Sequence, residues 1–162
     1  MTFGVLAERT GLARPSVYEY FRTKSEIIVA LIEEEEMPAW RSRGERALVG
    51  KTSPEAAIGA FVHAVLSQVR AGHHDLPFAI AASELDENAQ GAIERAHRGV
   101  FELLIPHLQG LGVIDVESGI ALTSGVVMTM GQALRRTPRR RGLIEMAVAF
   151  TVGGLRACAR RT

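Results

Sequence analysis

Apolar residues recur three and four positions apart from one end of this 162-residue chain to the other. No stretch alternates apolar and polar residues long enough to make a strand. That periodicity predicts an all-α fold. A short helix is expected from Phe3 to about Arg9 and a second from about Arg14 to Tyr20. A third starts near Ser25 with Ile27, Ile28, Leu31 and Ile32 on one face, and Pro38 must kink or end it. Glu33 to Glu36 then reads as a solvated run.

Ser53-Pro54-Glu55 opens a fourth helix, with a capping serine and a proline at the first helical position. Its stripe is Ile58, Phe61, Val62, Val65 and Val69, and His73-His74-Asp75 breaks it. A shorter helix is expected from Leu76 to about Leu85. Another runs from about Asn88 to Leu108, and Pro106 should disturb its last turn. Two long helices finish the chain, from about Val116 to Arg136 and from about Arg140 to Arg160. The first repeats Ile120, Val127 and Leu134 at seven-residue spacing. The second carries Leu143, Ala147, Phe150, Gly154 and Ala157 on one face and Ile144, Val148, Val152 and Leu155 on another. A helix that is apolar nearly all round is covered on more than one side. In a chain this short the second cover is a second subunit, or the helix is the centre of a monomer. The first reading makes a four-helix interface from two helices of each protomer.

Composition adds bounds. The chain is 47% hydrophobic and 23% charged, which is ordinary for a globular protein. No apolar run approaches the roughly 20 residues of a membrane span, and the start lacks a signal pattern, so a cytoplasmic location is expected. The net charge is +1, but residues 135–162 carry +7 and residues 1–134 carry −6. That total neither proves nor excludes a nucleic-acid partner. The basic run from Arg135 to Arg141 reads as a solvated loop, with a patch for an acidic partner or a second DNA patch as the alternative. Cys158, the one cysteine, reads as a small packing residue.

The segment from Thr2 to Phe21 is the most informative about function. Thr2 can cap the first helix. Ala7 is small where two helices must cross, and Gly11 falls four residues later, where a tight turn needs a positive φ. Val17 faces back toward Leu6 and Ala7. These offsets are the skeleton of a helix-turn-helix. The outer face of its second helix carries Arg14, Ser16, Tyr18, Glu19 and Tyr20, and Pro15 starts it. The N-terminal residues of such a helix meet base edges in the major groove. An arginine fork suits guanine, and proline offers apolar contact to a thymine methyl. Hydroxyls and a nearby lysine bond phosphates and set the register.

The run Leu6-Ala7-Glu8-Arg9, Gly11-Leu12-Ala13-Arg14, Val17-Tyr18-Glu19-Tyr20-Phe21 and Lys24-Ser25-Glu26-Ile27 closely resembles the TetR family of bacterial transcriptional regulators. Tyr18, Phe21 and Lys24 form its most specific part. The resemblance spans about 30 residues; beyond them the chain matches the family in helix count and order only. It implies a homodimer that reads a near-palindromic double-stranded DNA operator. It also implies a helical C-terminal domain that binds a small-molecule inducer. Carried over by position, Arg14, Pro15 and Tyr18 approach bases, while Thr2, Ser16, Tyr20 and Lys24 hold phosphates. Glu19 either accepts from cytosine or is simply solvated. The family has a further helix before this motif, and the chain as given starts at the motif itself. Val5, Leu6, Phe21 and Ile28 are therefore expected to be partly uncovered.

These readings divide the chain into a head at residues 1–36 and a ligand-binding and dimerisation domain at residues 37–162. Side chains able to line an apolar cavity are Trp40, Phe61, Phe78, Phe101, Met128 and Met130, with His63 and His97 as polar members. Each also reads as plain core. No spacing suggests a metal site, a catalytic triad or a phosphate loop, so no cofactor and no enzymatic activity are expected. The expected function is a ligand-responsive regulator, a repressor released by a largely apolar inducer. The rivals are a helical ligand-binding or sequestering protein that does not bind DNA, and a small helical-bundle enzyme.

Overall fold

The computed structural model describes residues 23–72 and 85–159. The helix-turn-helix segment, the helix expected from Leu76, and the pair His73-His74 lie outside the described residues. What is described is all-helical, with no strand among the described residues. The helices are α1 (Lys24–Leu31), α2 (Met37–Leu48), α3 (Pro54–Arg70), α4 (Glu87–Phe101), α5 (Ile105–Leu111), α6 (Val116–Arg136) and α7 (Leu143–Ala159).

Local chemistry sets the starts. Ser53 Oγ accepts from the Ala56 N–H at 3.1 Å with Pro54 in the first turn, which is the start expected at that site. Asp86 caps α4 through the Ala89 N–H at 2.9 Å, and Asp115 caps α6 through the Ser118 N–H at 3.0 Å. Gly112, at φ +85°, takes the left-handed conformation that closes α5, where a side chain would be strained. Gly142, at φ +80°, holds the start of α7 to Leu143, three residues later than expected.

Pro38 neither ends nor breaks the helical path. Residues Ile32–Glu36 form a π-helical turn, and the Met37 N–H donates to the Ile32 carbonyl five residues back. A proline in a regular helix clashes with the carbonyl four residues before it and leaves that group unpaired. The wider turn carries the chain past this obstacle, and α2 continues to Leu48. Near Pro106 the disturbance comes earlier than expected. A 3₁₀ turn over Glu102–Leu104 ends α4, so the proline sits in the first turn of α5.

The helix surrounded on most sides is α3. Ile58, Phe61, Val62 and Leu66 are fully buried, and α3 packs against α2, α5, α6 and α7. Gly59 permits a close crossing, since a methyl group there would meet Val148 at 3.2 Å. Phe61 and Phe101 meet edge to face at 5.6 Å in the core. Such rings dominate core energetics, and each large apolar side chain buried contributes about 1.5–3 kcal/mol. Ile120, Val127 and Leu134 all turn inward from α6, as their spacing predicts. Ile28 is buried, at 1% exposure, as part of the same core as Trp40 and Phe101. The expectation that it lies partly uncovered is therefore corrected: its face of α1 belongs to the body. Among the described residues no helix is long and apolar enough to cross a membrane.

Candidate functional site

Helix α6 separates two grooves. The first lies between α6 and α7, encloses about 690 Å³, and is lined by Ala121, Leu122, Val126, Thr129, Met130 and Phe150 among others. Its walls are apolar because α7 turns only one face to the core. Leu143, Ile144, Ala147 and Leu155 are buried, while Met146 and Phe150 are 48% and 67% exposed. Leu122 on α6 is 58% exposed. Gly125, Gly153 and Gly154 have open space where a side chain would start. Exposed large apolar groups beside glycines that could admit a close helix crossing make a contiguous patch. The outer face of α7 includes Phe150, Gly154 and Ala157, and all three are exposed.

The second groove lies between α4 and α6 and encloses about 490 Å³. Ile120, Ala121 and Met128 give it an apolar floor, and Ser124 adds a hydroxyl. Glu94, His97, Arg98 and Glu117 form its polar margin. Ala121 and Gly125 border both grooves. Arg98 spans the margin, with a guanidinium nitrogen 2.8 Å from Glu117 on α6 and another 3.8 Å from Glu102 in the 3₁₀ turn after α4. His97 bonds the Ile93 carbonyl through Nδ1 at 2.9 Å, so that nitrogen carries the proton and donates. Burial holds the imidazole below its ordinary pKa, an effect only partly opposed by that hydrogen bond. Its ring meets Trp40 edge-on at 5.9 Å.

A third, acidic cleft of about 420 Å³ lies between α1 and the start of α4, bordered by Glu26, Glu33, Glu34 and Asp86. The Asp86 carboxyl is held below the usual range, first by the Ala89 N–H and then by the Ser25 side chain. Ser25 borders this cleft with Asp86, where α1 packs against α4. Among the described residues no three His, Cys, Asp or Glu side chains are grouped to hold a metal ion.

The sequence-predicted ligand residues separate into three sets. Trp40, Phe61 and Phe101 are buried in the core. His63 lies exposed on α3, beside Ser67 at 3.4 Å. His97 and Met128 converge on the α4–α6 groove, while Met130 borders the α6–α7 groove. Phe78 lies outside the described residues, as do Thr2, Arg14, Pro15, Ser16, Tyr18, Glu19 and Tyr20. Lys24 opens α1. Sequence reasoning missed Glu94 and Ser124, because only the crossing of α4 and α6 brings them together. Cys158 is exposed rather than packed, since none of the described helices covers α7 on that side. Arg135 to Arg141 are exposed at the end of α6 and in the turn after it, which fits the solvated-loop reading. No protein-family model, curated protein or solved structure matches the chain.

Proposed function

We propose that the chain is a ligand-responsive, TetR-like transcriptional regulator that binds a palindromic DNA operator as a cytoplasmic homodimer. The observation that carries this reading is the helix-turn-helix pattern from Thr2 to Phe21, completed by Lys24. Arg14, Pro15 and Tyr18 read bases in it, Thr2, Ser16, Tyr20 and Lys24 hold phosphates, and Glu19 sits beside them. Two heads reading successive turns stand about 34–36 Å apart, or a multiple of that. The exposed apolar face of α6 and α7 supports the dimer. A second copy seated there buries Leu122, Met146 and Phe150, and the glycines permit close approach.

The body supports a route from ligand to head. Helix α1 follows the head, and its Ile27, Ile28 and Ile32 are buried in the body. Helix α1 packs against α4, and α4 walls the α4–α6 groove. A ligand that prefers one setting of α4 shifts α1 and the register of the two heads. Coupling of about 1–3 kcal/mol is typical of such devices, and it is reciprocal. An inducer then weakens operator binding by the factor by which operator weakens inducer binding.

The test is fluorescence anisotropy of labelled duplex from the gene's own upstream region, titrated with the chain at two salt concentrations. Sequence-dependent, salt-sensitive binding that Arg14→Ala abolishes is expected. Binding that is weak and indifferent to sequence, and that stays so in an N-terminally extended chain, refutes the DNA role and leaves a helical ligand-binding protein.

A further inference from the structure

The margin of the α4–α6 groove has an uneven charge balance. Glu94 and Arg98 stand four residues apart on α4, the spacing of a helical ion pair. Arg98 instead turns to Glu117 and Glu102. Glu94 is left exposed and without a cation among the described residues, beside an apolar floor of Ile120 and Met128. The neighbouring imidazole is a poor source of positive charge, since its burial disfavours the charged ring. An anion entering here would meet the carboxylates of Glu94 and Glu117 and a guanidinium already engaged by Glu117 and Glu102. A bare metal ion finds no group of three ligating side chains among the described residues.

We propose that this groove binds an amphiphilic organic amine, with its ammonium against Glu94 and its apolar body over Ile120 and Met128. The volume of about 490 Å³ lies within the range of small-molecule sites. The apolar body supplies most of the affinity by leaving water, and the carboxylate selects the charge of the head. The proposal names the ligand class of the regulator proposed above and rests on its ligand-responsive part. Its test contains no DNA, so failure here leaves the operator titration standing, and failure there leaves this site standing.

Trp40, the chain's one tryptophan, touches His97 in the groove wall and reports on occupancy by its fluorescence. The probes are 4-phenylbutylamine, 4-phenylbutanol and 4-phenylbutyrate, which share an apolar body and differ in head charge. The amine is expected to bind tightest and the carboxylate weakest. Glu94→Gln should weaken the amine about 2- to 5-fold, as for a largely exposed ion pair, and leave the alcohol unchanged. Ser124→Phe, checked for native helicity, should fill the groove without adding a second tryptophan and abolish all three. Equal affinities for amine and alcohol, or an amine indifferent to Glu94→Gln, overturn the proposal. So does amine binding that disappears as chain concentration rises, because a second copy then covers the groove.

Discussion

Replacing Gly44 with alanine sets two effects against each other. Gly44 lies inside α2, where alanine is the better helix former by about 1 kcal/mol. On that ground alone the substitution would stabilise the fold. The new carbon, however, would stand 2.8 Å from Phe61 Cε2 and 3.0 Å from Leu103 Cδ1. Carbon atoms pack best at about 3.5–4.0 Å. Leu103 is partly buried and can turn its methyl aside. Phe61 has no such freedom, being fully buried and in contact with Phe101 at 5.6 Å. Relief must come from moving α2 off α3, and overpacking of this kind costs about 1–3 kcal/mol. The net expectation is a loss of about 0–2 kcal/mol, from these two magnitudes. Gly99 supplies the contrast. It lies inside α4 with nothing within 4 Å of the place a new methyl would take, so Gly99→Ala should gain up to about 1 kcal/mol. Urea unfolding followed by circular dichroism at fixed chain concentration should move the two midpoints in opposite directions. Adding Phe61→Leu should shrink the cost of Gly44→Ala. A Gly44→Ala chain as stabilised as Gly99→Ala would refute the reasoning about this crossing.

Other expectations follow from the same structure. Ser53→Ala should cost about 1 kcal/mol, because the Ala56 N–H loses its acceptor at the start of the central helix; an unchanged urea midpoint would contradict the cap. The imidazole of His97 has a pKa lowered below 6.5 by burial, so the unfolded chain binds its proton first. Its contribution to stability is present above pH about 6.5 and is lost as pH falls through the folded value. His97→Gln should therefore flatten the fall in urea midpoint on acidification, and an equal fall in both chains would dismiss this role. Phe150→Glu should leave monomer stability within about 0.5 kcal/mol, since the side chain is 67% exposed. It should also abolish concentration-dependent association in sedimentation velocity; persistent association would place the interface elsewhere.

Much of the helical body is legible in the sequence because its signals are local. Ser53-Pro54 starts α3 as its residues predict, and the seven-residue repeat of Ile120, Val127 and Leu134 marks the inward face of α6. Non-local choices are not legible in the same way. Pro38 is a helix breaker by local rule, but the π-helical turn before it accommodates the ring. Side-chain size points to Phe61 and Phe101 as ligand contacts, but those rings fill the space between α3 and α4. The groove depends on which helices cross, so Glu94 and Ser124 carry no signal of their own. The outer face of α7 is legible as a surplus of apolar residues. The structure adds that this surplus faces outward, at Met146 and Phe150, and that α3 is the helix enclosed on most sides.

Sedimentation velocity of the full chain mixed with labelled duplex from its own gene's upstream region tests the regulator reading most directly. A dimeric operator reader predicts a complex of two chains on one two-half-site duplex. Arg14→Ala and Phe150→Glu should each lose that complex, the first by removing base contact and the second by separating the pair. A duplex that sediments alone at every chain concentration, or a complex that both variants retain, would contradict it.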